Sequence, residues 1–259
     1  MDVWFTVAGL ILGFWGAIPT IILIRERVTG TRALRRMLAL GSQKQIEILV
    51  TSSITNISKV GPSDEARRAI RSLVPSGDLA GVAELSVMLA KAYPGKSFVV
   101  KPSTSAPANP NADVFVIGGP IHNSYAATFI EGRKATAGIN SELIFDADHR
   151  FIKFGNVEYG PDLDLQFENN VPKLDYGLVM LTRIRRNLTS SRVLLAAGLT
   201  TYGTHAAADF AAHELVSYVR KNRLGRSPNV CVLVKAKIVN GKPFDLEAVA
   251  YLSGALLPS

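Results

Sequence analysis

Residues 193–208 run V-L-L-A-A-G-L-T-T-Y-G-T-H-A-A-A: an apolar stretch, two glycines five positions apart, then an alanine-rich helix former. The spacing Gly198-x-x-x-x-Gly203 is that of a phosphate-binding loop, in which backbone amides cradle phosphate oxygens and a following lysine neutralises their charge. Here Thr204 and His205 follow Gly203, so a hydroxyl and an imidazole stand where the lysine would. Without that charge the loop is poorly suited to nucleoside triphosphate hydrolysis. Gly198, Thr201, Gly203, Thr204 and His205 remain as a backbone-and-hydroxyl cradle for a less charged ligand.

Two further apolar runs end in small and polar residues of the same kind. One ends in Thr51-Ser52-Ser53, the other in Gly118-Gly119-Pro120 followed by His122 and Asn123. Ligands of open α/β sheets bind beyond the carboxyl ends of the strands, where strand order reverses. Helices starting near Asn123 and Thr204 would add free N–H groups and positive dipole ends, which favour an anion. Ser52, Ser53, Gly118, Gly119, His122 and Asn123 therefore join the ligand-binding candidates, and a small phosphorylated compound such as a nucleotide is the expected ligand class. Strand-to-helix turns also need such residues merely to cap helices; the ligand reading rests on three loops of this kind coinciding.

For catalysis, Glu84 and Glu131 lie on helices near these loops and offer a carboxylate as nucleophile or base. A helical glutamate is more often a solvated surface residue. His213 follows Asp209 by four residues, a surface-pair spacing. His205 and His213 are two turns apart, and without an H-E-x-x-H or a cysteine pair the expected metal is none. No cofactor is identified: G-x-G-x-x-G and G-x-S-x-G are both absent. The single cysteine, Cys231, sits among apolar neighbours and reads as a buried thiol.

The positioning elements alternate in type. Strands are expected at 46–51, 97–101, 114–117, 175–181 and 192–197. Helices are expected at about 62–73 (basic), 78–93 with Asp78 as N-cap, 123–131 and 204–221. Residues 143–167 alternate apolar and polar around turn signals, which predicts an inserted antiparallel hairpin. A second hairpin is expected around Asn240-Gly241. The fold class is α/β: a three-layer sandwich with a mainly parallel sheet and antiparallel hairpin additions. Its short strands, its loops at strand ends and the helix Tyr125–Glu131 (YAATFIE) after a strand resemble TIR and nucleoside-deoxyribosyltransferase Rossmann-like domains over about half of the soluble part. The resemblance implies a ligand crevice and a helix-borne carboxylate at Glu131. The Asp-x-Gly-Thr-type segment that those transferases place before their glutamate is absent, so no activity is carried over.

Val3–Ile24 holds 22 residues without a charge, long enough as a helix to span a hydrocarbon core of roughly 30 Å. Arg25, Arg27, Arg32, Arg35 and Arg36 crowd its carboxyl side, and nothing basic precedes it. The expectation is a single-pass anchor with the amino terminus outside and the remainder cytoplasmic. Residues 1–24 form the anchor, 25–44 a basic juxtamembrane linker helix, and 45–259 the α/β domain. Gly9, Gly13 and Gly16 allow homo-oligomeric packing in the bilayer. Much of the net charge of +8 lies beside the membrane, so lipid, not nucleic acid, is the expected partner. An enzyme acting on a nucleoside or sugar phosphate, and a membrane-anchored interaction module without ligand, are the alternative functions.

Overall fold

The computed structural model describes residues 30–41, 45–57, 69–103, 112–120, 122–137, 143–146, 151–161, 171–186, 189–224 and 229–253. Residues 1–29, on which the expected anchor falls, lie outside them. Among the described residues no helix is long and apolar enough to cross a membrane.

The chain is of mixed α/β class. A short helix, α1 (30–38), precedes the strand β1 (Gln45–Val50). A small hairpin of β2 (Ser53–Ile57) and β3 (Ala69–Leu73) follows, then α2 (Ser76–Ala92), β4 (Ser97–Pro102), β5 (Val114–Ile117) and α3 (Ser124–Ala137). Next come β6 (Leu143–Asp146), β7 (Phe151–Phe154) and β8 (Val157–Tyr159), which make a three-stranded antiparallel sheet of their own. The second half contains β9 (Leu174–Arg186), β10 (Thr189–Gly198), α4 (Thr201–His213), α5 (Leu215–Lys221), β11 (Val230–Val239) and β12 (Lys242–Ser253).

Seven strands form the main sheet in the order β12-β11-β9-β10-β5-β1-β4. β4, β1, β5 and β10 are parallel neighbours, whereas β9 opposes both β10 and β11. β12 in turn opposes β11, so five strands share one direction and two return. The apolar runs are continuous because both faces are covered. On β10, Leu194 and Ala196 enter one core while Val193, Leu195 and Ala197 enter the other. The first core is closed by α1, α2, α4 and α5, and the second by α3 with β6 and β7. Leu34 and Leu38 of α1 are buried in the first core, which makes α1 a packing helix of the domain.

Three expected elements differ. Residues 69–73 are a strand paired with 53–57, not the end of a basic helix; A-I-R-S-L has no two-residue alternation, so the pairing and not the local pattern decides it. The helix expected at 78–93 begins earlier, with Pro75 as N-cap and Asp78 inside the first turn. The helix expected at 204–221 starts at Thr201 and breaks at Glu214 into α4 and α5, so Thr201, Gly203 and Thr204 are helical. The Asn240-Gly241 turn carries positive φ at both positions (52° and 72°), as a type I′ hairpin requires.

α2 and α4 lie side by side and run the same way. Gly77 faces the Thr201 carbonyl and Gly81 faces the Ala208 methyl. α4 also seats directly on β9 at Gly177, where an added Cβ would stand 2.2 Å from the Gly203 carbonyl oxygen and 2.9 Å from the Ala207 Cβ. Gly177→Ala should therefore destabilise the fold by about 1–3 kcal/mol through overpacking. The measurement is the urea midpoint at constant m; an unchanged midpoint would show that α4 does not rest on β9 there.

Candidate functional site

β1 lies between β4 and β5 in the sheet. The chain leaves β1 through α2 to reach β4 on one side, and then reaches β5 on the other. α2 covers one face of the sheet, and α3, which follows β5, covers the opposite face. The carboxyl ends of β1 and β5 are thus the place where strand order reverses, flanked by helix starts from both faces.

Thr51 and Ser52 leave β1 buried. Thr51 donates its N–H to the Ile117 carbonyl at 3.0 Å, and that oxygen also accepts the Asn123 side-chain amide at 3.0 Å. The Asn123 oxygen accepts the Ala126 N–H at 2.9 Å, so this fully buried residue caps α3 and ties it back to the end of β5. Gly118 has φ +120°, and a Cβ there would stand 1.7 Å from the Thr51 hydroxyl oxygen; only glycine fits. Gly119 packs against the Gly198 carbonyl, which joins the β5 loop to the β10 loop. His122 is exposed at the start of the α3 turn.

Two aspartates organise this end of the sheet, and neither is among the ligand-binding or catalytic candidates of the sequence. Asp78, in the first turn of α2, is buried against three hydroxyls from two other elements: Thr51 at the end of β1, and Thr201 and Thr204 on α4. Thr201 donates to Asp78 Oδ1 at 3.3 Å. Burial raises the Asp78 pKa, and the three hydroxyls and the charge of His122 oppose that rise. Asp175, at the head of β9, is fully buried. Its Oδ2 accepts the Gly203 N–H at 2.7 Å and the Thr200 hydroxyl, and its Oδ1 accepts the Tyr176 N–H at 2.8 Å. Burial pushes its pKa up to about 6 against these hydrogen bonds. Thr200 in turn caps α4 by accepting the Tyr202 N–H.

The P-loop-like spacing is therefore occupied from within: the anion at the α4 N-terminus is the protein's own Asp175 carboxylate. Of the sequence candidates, the structure gathers Ser52, Gly118, Gly119, Asn123, Gly198, Thr201 and Thr204 at this end of the sheet, with Gly203 in the first turn of α4. It does not bring Glu84 or His205 there. Glu84 lies about two turns into α2 and meets His213 on the flank. His205 is half-buried a turn further along α4; burial lowers its pKa, while Asp209 and Glu84 raise it. The side chains of Ser53 and Glu131 lie outside the described residues. Cys231 is buried in β11, and burial pushes its thiol pKa well up. A lone acid at the head of the apolar run D-Y-G-L-V-M-L was the one sequence signal for Asp175.

No protein-family model matches the chain, and neither a curated protein nor a solved structure is detectably similar to it.

Asp175→Ala would strand the Gly203 and Tyr176 N–H groups, which should cost about 1–3 kcal/mol. The variant should also remove a pH effect. Because the folded value near 6 lies above the ordinary value of 3.8, the native state holds a proton that the unfolded chain has released. This group's stabilisation is complete below the ordinary value and is lost as pH rises through the folded one. Urea midpoints across that window should fall more steeply with pH for the wild type than for Asp175→Ala; parallel profiles would refute the assignment.

Proposed function

We propose that the crevice beyond β1 and β5 binds a small phosphorylated ligand, with a nucleotide as the best-fitting class, in a cytoplasmic domain tethered by a single N-terminal transmembrane helix. The observation that carries the ligand reading is a buried, unsatisfied hydroxyl at the strand ends. Ser103 Oγ, just past β4, is 4% exposed and has no hydrogen-bond partner among the described residues. Its backbone ties it to the end of β1 and the start of α3: its N–H donates to the Val50 carbonyl at 2.8 Å, and its carbonyl accepts the Ser124 hydroxyl at 3.2 Å. A buried donor left unpaired costs about 1–3 kcal/mol, which a ligand oxygen would relieve.

The division of labour follows from which helix ends are already used. Asp175 serves α4, whereas Pro75 gives α2 no side-chain cap. The first amides of α2, which no side chain caps, are where a phosphate group would be received, and Asp78 in the same turn limits the negative charge that such a group can bring. The Asp78 carboxylate suits the other end of such a ligand, as acceptor for a sugar hydroxyl or a base amino group. Enzymatic action on a nucleoside or sugar phosphate is the second reading. Its specific support is Asp78, a buried acid with a raised pKa beside the crevice, in place of Glu84.

Thermal shift of the full chain against a panel of nucleotides and sugar phosphates tests the ligand. A hundredfold excess over Kd should stabilise the protein by about 2.7 kcal/mol, and the gain should shrink in Ser103→Ala; no shift with any phosphorylated compound would sink the reading. For the tether, an N-terminal tag should be cleaved by protease added outside intact cells, and a protected tag would contradict the orientation.

A further inference from the structure

Away from the crevice, α2 and α4 bring three side chains of metal-ligand type together on the flank of the domain. His213 Nε2 lies 2.9 Å from Glu84 Oε2 and 3.6 Å from Asp209 Oδ1. One ligand atom from each residue falls within 4.8 Å of the other two. A tetrahedral zinc ion with nitrogen and oxygen ligands at about 2.0–2.2 Å sets those ligands about 3.3–3.5 Å apart, a spacing that the two distances bracket. Asp209 and His213 are one helical turn apart, so α4 itself holds two ligands on one face. The parallel packing of α2 on α4 delivers the third. The side chains are 54% (His213), 37% (Glu84) and 30% (Asp209) exposed, which leaves an entry path and a fourth coordination position open to water.

A hydrogen bond alone explains this cluster less well than a cation does. Glu84 and Asp209 repel each other, and the imidazoles that face them are His213, in direct contact with both, and His205, through its charge. A divalent ion neutralises both and uses the imidazole as a neutral donor. We propose that Glu84, Asp209 and His213 form a three-ligand site for a divalent transition-metal ion of the zinc type, bridging α2 to α4. The site is separate from the crevice, yet it staples together the two helices whose first turns carry Asp78 and Thr201. Neither the Asp209–His213 spacing nor Glu84 on its own signals it, because the third ligand arrives from another helix.

The probe is zinc itself, added to the purified, chelator-stripped full chain. Calorimetric titration should show one zinc per chain, and cobalt in its place should give the visible ligand-field bands of a four-coordinate site. Glu84→Gln and His213→Ala should each weaken zinc binding by at least about tenfold and abolish the zinc-dependent rise in Tm. Far-UV circular dichroism of the metal-free variants should match the wild type, and Asp209→Asn provides a third ligand removal should either variant misfold. Absence of stoichiometric uptake by the wild type, or uptake unchanged by these substitutions, would overturn the proposal.

Discussion

Asp175 stands in the interior at the head of β9, and an ion so placed is stable only while its donors hold still. Those donors are the Gly203 amide, the Thr200 hydroxyl and the Tyr176 amide, and between them they fix where α4 begins. The start of α4 decides where Thr201 and Thr204 stand, and these hydroxyls help to hold Asp78 at the head of α2. The two acids act as a linked pair of anchors. Each compensates the positive end of a helix, and the two helices point their positive ends the same way.

The same linkage makes this end of the sheet polar and lines it with two buried carboxylates. The glycine loop after β10 has the spacing of a phosphate cradle, but its carboxylate is built in. The proposed ligand site is left with the ends of β1, β4 and β5, where Ser103 is tied to Val50 and Ser124. A ligand of the proposed kind would need its anionic end held away from the two buried carboxylates and a hydrogen-bond donor directed toward them.

The strands were legible because two-sided burial writes itself as apolar runs: I-E-I-L-V, V-F-V-I and V-L-L-A-A each became a strand of the central sheet. Strand direction was not legible, because alternation is the same whichever way a strand runs, and β9 therefore gave no sign of opposing β10. The site was legible only in its local chemistry. Asn123 as a helix cap is written in its own neighbourhood, whereas Asp175 meets Gly203 across 28 residues and Glu84 meets His213 across 129. Contacts at that range depend on which helices pack together, and no periodicity encodes that.

The β5–β10 pairing has a consequence for how the molecule is held together. It comprises four residue pairs, from Val114↔Val193 to Ala196↔Ile117, and it is the ladder in the main sheet that joins the strands before residue 120 to those after residue 170. The β9–β10 and β11–β12 hairpins close over short turns, but this ladder must draw together positions that are remote along the chain, which is entropically the harder closure. Glu84–His213 and Asp78–Thr201 bridge the same divide on the helical side. Both cores take residues from the two sides of this ladder, so the early and late parts of the chain share one interior, and a ligand or metal bound as proposed would tie together positions that meet only once that interior has formed.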